Sequence, residues 1–327
     1  PAKAGGRGGG RERGMRKKVL VVGGSGYLGQ HVLQALSVTA SYDLAFTHYS
    51  SLPLALLQTI PGLLAFHLDL QTGQGFDIIS HTFGQPHVVV NCAALSVPRA
   101  CEVDPAAAMS INVPSLLAKW LSSLHGGNIL LIHLSTDQVY EGAKSFYKED
   151  DETKPVNVYG KSKVAAEEFV CSNCSNFAIL RSSIIIGPQT ISPVPKSLPI
   201  QWIDEVLSRG ETIEFFHDEF RCPVFVRDVA TIILALINRW ISDGEQMQLI
   251  LNVGGPDRVS GAQMAETVAC FRGYSPSLIK PVSASTVNRG VVSPADISMD
   301  ISKVVRTLHV SPTSFREVVR LTLGIDS

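Results

Sequence analysis

The sequence has no apolar run that approaches the ~18 residues of a membrane-spanning helix, and its first residues lack the apolar core of a secretory signal. It also lacks a charge excess, because 28 Lys and Arg residues face 29 Asp and Glu residues. Residues 1–18 carry +6 of formal charge and the whole chain −1, so the remainder carries −7. A mildly acidic body argues against a broad nucleic-acid surface. We therefore expect a cytoplasmic protein without a membrane or nucleic-acid partner.

Cysteine is scarce and scattered. The six cysteines are Cys92, Cys101, Cys171, Cys174, Cys222 and Cys270. The one CxxC pair falls at the end of a predicted helix, with no second pair and no His pair near it. This pattern is typical of reduced thiols and excludes a disulfide framework. We expect no metal site.

The domain organisation follows from length and composition. Residues 1–17 form a basic Gly/Arg tail that cannot bury apolar surface, and we expect it to be disordered. The rest of the 327 residues, with 45% hydrophobic content overall, is enough for one large domain with an appended lobe.

Unbroken apolar runs alternate with helical patterns in the first half of the chain. The predicted strands are Lys18–Val22, Asp43–Thr47, Leu63–Leu68, His87–Asn91, Asn128–Ser135 and Phe177–Ile186. The predicted helices are Tyr27–Leu36, Phe76–Phe83, Pro105–Leu124 and Val158–Cys171. Strands that are apolar throughout indicate a parallel sheet covered on both faces. The fold class is α/β, a doubly wound Rossmann sheet.

The alternation of strand and helix patterns ends near residue 187. The segment GPQTISPVPKSLP that follows contains four prolines, which predicts a loop. The predicted elements beyond it are a helix at Ile200–Ser208, a strand at Thr212–Phe216, a helix N-capped by Asp228, a strand at Gln248–Val253, a helix capped by Ser260, and helices at Ser298–Leu308 and Ser314–Leu323. We assign residues 18–187 and about 226–254 to a dinucleotide-binding domain. Residues 188–225 and 255–327 would form a smaller substrate-binding lobe.

Three glycines, Gly23, Gly26 and Gly29, follow the first strand and open a helix. In this context the first glycine makes a tight turn, the second lets the backbone approach a pyrophosphate, and the third lets helix pack on strand. The helix N-terminus then offers free N–H groups to the phosphates. The pattern predicts a bound dinucleotide, with Tyr27 and Leu28 lining it.

The end of the second strand lacks an acidic residue for the ribose 2′-hydroxyl of NAD. The chain there contains Thr47 and His48, which suit the 2′-phosphate of NADP(H) better, so we expect NADP(H) over NAD(H). His48 as a solvated loop residue is the alternative. Asp69 and Leu70, at the end of strand three, are candidates for the adenine end, although Asp69 could equally serve as a turn cap.

Tyr159 and Lys163 are four residues apart on a predicted helix and share one face. An ammonium beside a phenol stabilises the phenolate, so we expect Lys163 to lower the pKa of Tyr159 toward the range of an acid/base catalyst. Ser135 and Thr136 end strand five, where a hydroxyl can bind a substrate carbonyl.

In this order the motifs resemble the extended short-chain dehydrogenase/reductase family over residues 18 to about 325. The blocks that carry the resemblance are GGSGYLG, Asn91-Cys-Ala-Ala94, Ser110-Ile-Asn112, Leu134-Ser-Thr-Asp137, Pro155-Val-Asn-Val-Tyr-Gly-Lys-Ser-Lys163 and Phe220-Arg-Cys-Pro-Val-Phe-Val-Arg-Asp228. Within that family the chain looks like the dTDP-4-dehydrorhamnose reductases and the related regulatory β subunit of methionine adenosyltransferase.

The resemblance implies roles for particular residues. Tyr159 would donate the proton, Lys163 would bind the nicotinamide ribose, and Thr136 would hold the carbonyl with Ser135 beside it. The cofactor groove would be lined by Asn91, Ala93 and Ala94. The substrate would meet Asn112, Asp137 and Arg221. For Asn112 the alternative is a buried polar group with local partners, and for Arg221 a surface salt bridge.

The activity implied is the NADPH-dependent reduction of a carbonyl, possibly that of a nucleotide-linked 4-keto sugar. Gln138 stands where sugar-nucleotide dehydratases of the family carry an acid, which disfavours dehydration. A second hypothesis is an NADP-binding regulatory subunit with little turnover, partnered by a methionine adenosyltransferase catalytic subunit or by a second copy. A third is an NAD-retaining sugar-nucleotide epimerase.

Overall fold

A computed structural model describes residues 16–39, 41–124 and 128–325. The predicted basic tail falls outside the described residues except for its last two. Lys17, the last of them, already opens the first strand.

The described chain contains thirteen strands: β1 Lys17–Val22, β2 Tyr42–His48, β3 Leu64–His67, β4 Val88–Asn91, β5 Leu130–Thr136, β6 Phe177–Ser182, β7 Ile185–Ile186, β8 Ile213–Phe216, β9 Phe220–Arg221, β10 Val224–Phe225, β11 Gln248–Val253, β12 Val259–Ser260 and β13 Ile279–Val282. Seven of them form one sheet in the order β3-β2-β1-β4-β5-β6-β11. Every pair in it is parallel. The predicted doubly wound Rossmann sheet is therefore confirmed, with its switch point between β1 and β4.

Twelve helices accompany the strands in the same described residues: α1 Tyr27–Val38, α2 Leu54–Thr59, α3 Phe76–Thr82, α4 Pro98–Val103, α5 Pro105–Asn112, α6 Ser115–Ser123, α7 Val158–Asn173, α8 Pro199–Ser208, α9 Val226–Asp243, α10 Gly261–Arg272, α11 Ser302–Leu308 and α12 Phe315–Thr322. Ser260 caps α10 through a capping box with Gln263, as predicted. The short helices α2 and α4 were not predicted, because neither is long enough to show a helical period.

Four predicted elements differ from the structure, one of them the helix predicted from Ser298, which begins only at Ser302. The helix predicted over Pro105–Leu124 is two helices, because Pro114 has no N–H and disfavours a helical residue before it. The strand predicted over Phe177–Ile186 is interrupted after Ser182. Asp228 is not an N-cap: α9 begins at Val226, and the Asp228 carboxylate accepts hydrogen bonds from the backbone and hydroxyl of Thr313.

Alternation along β1 explains how the sheet is covered. Val19 and Val21 lie in the core formed with α1 and α9, whereas Leu20 and Val22 lie in the core formed with α3, α6 and α7. A third buried cluster joins α8, α10 and α12 with β8. This third cluster lies in the region that the sequence predicts to be a substrate lobe.

Among the described residues, no helix combines the length and apolar character needed to cross a membrane. Within the same residues, no three His, Cys, Asp or Glu side chains lie together as metal ligands would.

Candidate active site

The glycine loop after β1 shows why the motif needs small residues. Gly23 has φ +72°, and a Cβ there would lie 2.7 Å from the backbone nitrogen of Ala93. A Cβ on Gly29 would lie 2.5 Å from the carbonyl oxygen of Gly23. Gly26 is the N-cap of α1, and among the described residues no side chain caps that end. The first-turn N–H groups of α1 are therefore available to an anion.

One side of the first turn of α1 is closed by the loop after β7. The Tyr27 hydroxyl donates to the carbonyl of Pro188 at 3.0 Å, and Gln30 exchanges two hydrogen bonds with the backbone of Ser192. Leu28 is partly buried between the core formed with α1 and α9 and the cluster that joins α8, α10 and α12. The Tyr27 side chain therefore holds this loop against the helix that would receive a pyrophosphate.

The end of β2 lies beside the glycine loop. Thr47 is buried, and its hydroxyl oxygen accepts the N–H of Gly23 at 3.0 Å. His48 is partly buried, and within the described structure its Nδ1 is a buried atom without a hydrogen-bond partner. The His67 ring lies 5.8 Å from the His48 ring, edge to face. Burial, with the neighbouring His67, lowers the pKa of His48.

The ends of β3 and β4 complete the groove. Asp69 accepts a hydrogen bond from the backbone of Gln71 and so caps a turn, which was the alternative for this residue. Leu70 and Ala93 are partly buried against the core cluster beneath them. Asn91 is buried and accepts the N–H of Ala93 at 3.2 Å, and Ala94 follows as a half-buried residue.

Thr136, Asp137 and Tyr159 meet beyond the carboxyl end of β5. The Thr136 side chain lies beside the phenol of Tyr159, whose pKa it lowers against the larger effect of burial, and its hydroxyl donates to Asp137 Oδ1 at 3.2 Å. Asp137 Oδ2 accepts from the hydroxyl of Ser183 at 2.8 Å. Burial raises the pKa of Asp137 to about 6, against the opposing effect of the Arg221 guanidinium and the two hydrogen bonds.

The expected lowering of the Tyr159 pKa by Lys163 is wrong. Tyr159 is 9% exposed, and burial raises its pKa, with the Asp137 and Cys101 charges adding to the effect. Lys163 shares the helix face, but its Nζ donates to the carbonyl oxygen of Leu134 and lies 3.4 Å from His133 Nε2. Burial lowers the pKa of Lys163 to about 8. The phenol is therefore fully protonated near neutral pH.

Ser135 does not join this group. Its hydroxyl donates to Glu167 Oε1, on the face of β5 covered by α7. Glu167 in turn binds Arg181, with Nη2 and Oε2 at 2.7 Å. The Ser135 hydroxyl therefore belongs to a buried network separate from Thr136 and Tyr159.

Asn112 and Arg221, two of the predicted substrate residues, make their hydrogen bonds to other groups of the protein. Asn112 is fully buried and bonds both backbone groups of Leu95 and the hydroxyl of Ser162, which matches the alternative of local partners. Arg221 is 8% exposed and donates to the hydroxyl of Ser293 and to three backbone carbonyls, of Phe220, Pro294 and Ala295. A surface salt bridge for Arg221 is therefore wrong.

A cavity of about 660 Å³ opens against the first turn of α7. Its lining includes the charged side chains of Glu102, Lys161, Asp218, Glu219 and Arg289. Tyr159 does not line it, but its neighbours Asn157 and Val158 do. No motif in the sequence indicated this cavity, because its walls come from distant segments.

His133 and Glu102 are the other side chains that the sequence reasoning did not identify. Glu102 Oε1 accepts the N–H of Val158 at 2.8 Å, at the start of α7. His133 is fully buried in β5 between Lys163 and Asn91. His133 could have been noticed in the sequence, because a histidine inside an otherwise apolar strand is unusual.

Comparison with known proteins gives the site its family context. The family described as RmlD substrate binding domain matches residues 16–325. The methionine adenosyltransferase 2 subunit beta of Pongo abelii is 31% identical over 248 residues, which cover 75% of this chain and 72% of that protein.

Two solved structures share the fold. The dTDP-4-dehydrorhamnose reductase of Bacillus anthracis, in complex with NADP, has a TM-score of 0.77 at 19% identity, covering 94% of this chain and 99% of that one. The UDP-glucose 4-epimerase of Thermus thermophilus, in complex with NAD, has a TM-score of 0.77 at 21% identity, covering 94% and 98%. Since the family match spans nearly the whole described chain, this protein belongs to the RmlD substrate binding domain family, an oxidoreductase-like group of extended short-chain dehydrogenases/reductases.

Proposed function

We propose that this protein is an NADPH-dependent reductase of a carbonyl compound. The observation that carries the proposal is the position of Thr136 at the carboxyl end of β5, with the buried phenol of Tyr159 beside it. In open α/β sheets this edge, at the switch point, is where ligands bind. A hydroxyl and a protonated phenol side by side suit a carbonyl oxygen that must be held and then protonated.

The groove fits a dinucleotide. Gly23 and Gly26 leave room at the uncapped N-terminus of α1, where the pyrophosphate would bind. Nδ1 of His48, which has no hydrogen-bond partner among the described residues, suits a 2′-phosphate and supports NADP(H) over NAD(H). Asn91, Ala93 and Ala94 would line the nicotinamide half. The cofactor, when bound, supplies the hydride.

The chain's own residues would supply the proton and the orientation. Tyr159 is the acid, because burial keeps its phenol protonated until a partner receives the proton. Thr136 would turn its one hydroxyl proton from Asp137 to the carbonyl oxygen and hold that oxygen. Gln138 cannot act as a base, and the buried Asp137 still accepts from Ser183, so elimination of water is disfavoured.

The cavity beside α7 supports a substrate class. Its lining holds carboxylates, among them Glu102 and Glu219, as well as the cations of Lys161 and Arg289, the last of which is paired with Glu219. Such a lining suits a polar, hydroxyl-rich ligand, because hydroxyls both donate to carboxylates and accept from cations. A nucleotide-linked 4-keto sugar fits this description. In this proposal the segments 188–225 and 255–327 bind the substrate.

The test is NADPH oxidation by the purified protein with a panel of 4-keto nucleotide sugars and simple ketones. Tyr159→Phe is expected to reduce turnover by about 10²-fold or more, since general acid catalysis is worth that much. Tyr42→Phe is the matched control, because its hydroxyl bonds Asn238, away from the groove. NADPH binding without turnover on any compound would contradict the reductase.

A regulatory role is the second candidate, and the identity to methionine adenosyltransferase 2 beta subunits favours it. Here the groove would hold NADP while the protein binds a methionine adenosyltransferase catalytic subunit. Mixing the purified proteins and measuring their sedimentation separates the two roles. A stable complex whose adenosyltransferase activity changes, with no ketone reduced, would favour the regulatory role.

A further inference from the structure

Three fully buried polar side chains form a row from β4 to α7. Asn91, His133 and Lys163 are each 1% exposed or less. His133 Nδ1 lies 3.2 Å from Asn91 Nδ2, and His133 Nε2 lies 3.4 Å from Lys163 Nζ. The proposed function assigns no role to His133.

The hydrogen bonds of this row determine which nitrogen of the His133 imidazole carries the proton. Asn91 Oδ1 accepts the N–H of Ala93, so the Asn91 NH₂ group faces His133. His133 Nδ1 must then accept, and in the neutral imidazole the proton lies on Nε2. This N–H points at Lys163 Nζ.

An ammonium on Lys163 cannot accept that proton, because it has three donors and no lone pair. An uncharged amine can: it donates to the Leu134 carbonyl and accepts from His133 Nε2. The row is satisfied only in this state. Burial also lowers the pKa of Lys163 to about 8 and that of His133 well below its usual value.

We propose that His133 is a positioning residue that favours the uncharged amine of Lys163 over the ammonium, so that in mildly alkaline solution Lys163 gains a proton when a dinucleotide enters the groove. On binding, Nζ takes up one proton from water on its lone pair. It can then no longer accept from His133 and is released toward the groove. No bond between heavy atoms changes. The second half of this inference rests on the proposed function, whereas the state of Lys163 in the free protein does not.

The other groups around Lys163 do not offset His133. Glu167, one turn further along α7, favours the ammonium, but its carboxylate is engaged by Arg181 and Ser135. Cys92, after β4, is a buried thiol whose pKa is raised by burial and is therefore uncharged near neutral pH. Tyr159, one turn earlier on α7, is a protonated phenol.

The first experiment titrates Lys163 in the free protein by the NMR shift of its ¹³Cε, assigned by the signal lost in Lys163→Met. A midpoint near 8 is expected, against about 10.4 for an ordinary lysine. In His133→Gln the amide oxygen can accept from an ammonium, so the midpoint should rise by about 1 pH unit or more. His87→Gln is the matched control, because His87 accepts from the backbone of Lys18 at the other end of the sheet. An ordinary midpoint in the wild-type protein, or the same midpoint in His133→Gln, overturns the proposal.

The second experiment uses the wild-type protein and does not depend on the variant folding. Calorimetry of NADPH binding at pH 9, in buffers of different ionisation enthalpy, counts the protons taken up. The 2′-phosphate, with its pKa of about 6, does not titrate there. Uptake of about one proton is expected. Binding without uptake overturns the proposal, whereas the absence of any binding contradicts the proposed function and leaves the NMR titration as the test of His133.

Discussion

Glu167 and Arg181 form an ion pair in which both side chains are 6% exposed, with Oε2 and Nη2 at 2.7 Å. Arg181 also donates to the Tyr140 hydroxyl, and Ser135 donates to Glu167. Every side chain in this network is buried. The pair therefore bears on stability and on the placement of α7, which carries Tyr159.

Removing one partner of this pair should be costly. Arg181→Met leaves the Glu167 carboxylate buried and unpaired, so we expect the free energy of unfolding to fall by about 3–5 kcal/mol. The double variant Arg181→Met/Glu167→Gln should recover part of that loss, because no charge is stranded. Urea denaturation of the two single variants and the double variant measures the coupling. Additive losses would contradict the stranded-charge argument.

The glycine motif separates stability from binding. Gly29→Ala would place a methyl group 2.5 Å from the Gly23 carbonyl oxygen, and we expect a loss of about 1–3 kcal/mol in unfolding free energy. At Gly26 a Cβ would meet only that same oxygen, at 3.3 Å, so Gly26→Ala should fold nearly normally. It should nevertheless weaken NADPH binding by about 10-fold, because the methyl group occupies the approach of the pyrophosphate. Thermal unfolding and fluorescence titration measure the two effects, and normal NADPH affinity in Gly26→Ala would count against this site.

Asp137 should make stability fall as the pH rises from about 4 to 6. Its pKa is 3.8 in the unfolded chain and about 6 in the fold, so between these values the folded protein binds more protons. Above pH 6 Asp137 is ionised in the fold, and the free energy of unfolding is lowered by the full cost of burying its charge. Relative to Asp137→Asn, the wild-type protein should lose up to about 3 kcal/mol between pH 4 and 7. Urea unfolding at both pH values measures this, and a difference independent of pH would contradict it.

His48 should decide between the two cofactors, if the proposed function holds. A carboxylate at this position repels a 2′-phosphate and accepts from a ribose 2′-hydroxyl. In His48→Asp we expect the ratio of NADH to NADPH affinity to rise by about 10-fold or more, or ~1.4 kcal/mol. Direct binding titrations with both cofactors measure the ratio. His81→Asp, at an exposed histidine on α3, should leave it unchanged; an equal change in both variants would point to a general charge effect.

In the wild-type protein the preference for NADPH should weaken as the pH rises through neutrality. Burial and the neighbouring His67 lower the pKa of His48, so the free imidazole is uncharged at neutral pH. A bound phosphate favours the cationic form, which is more populated at lower pH. Affinities for NADPH and NADH at pH 5.5 and 8 are measured in the wild-type protein and in His48→Gln, because the 2′-phosphate itself titrates near pH 6. The same change of the ratio in both proteins would exclude His48 as the phosphate ligand.

The sheet was predictable because its strands are apolar on both faces, and the glycine turn was predictable because its spacing is local. The Tyr159 and Lys163 pair was predictable for the same reason, since residues four apart share a helix face. The break before α6 was missed although Pro114 indicated it. The cavity against α7 was not predictable, because residues such as Glu102 and Arg289 meet there only after the chain has folded.

By itself the sequence determined the Rossmann class, the glycine loop and the helix face that carries Tyr159 and Lys163. Only the tertiary structure decided what these side chains touch. His133 and Ser135 lie two apart on the face of β5 that α7 covers, and they meet Lys163 and Glu167, four apart on α7. The match arises because two strand residues and four helix residues both rise about 6–7 Å. Which residue faces which depends on where the helix settles on the sheet, and long-range packing alone sets that position.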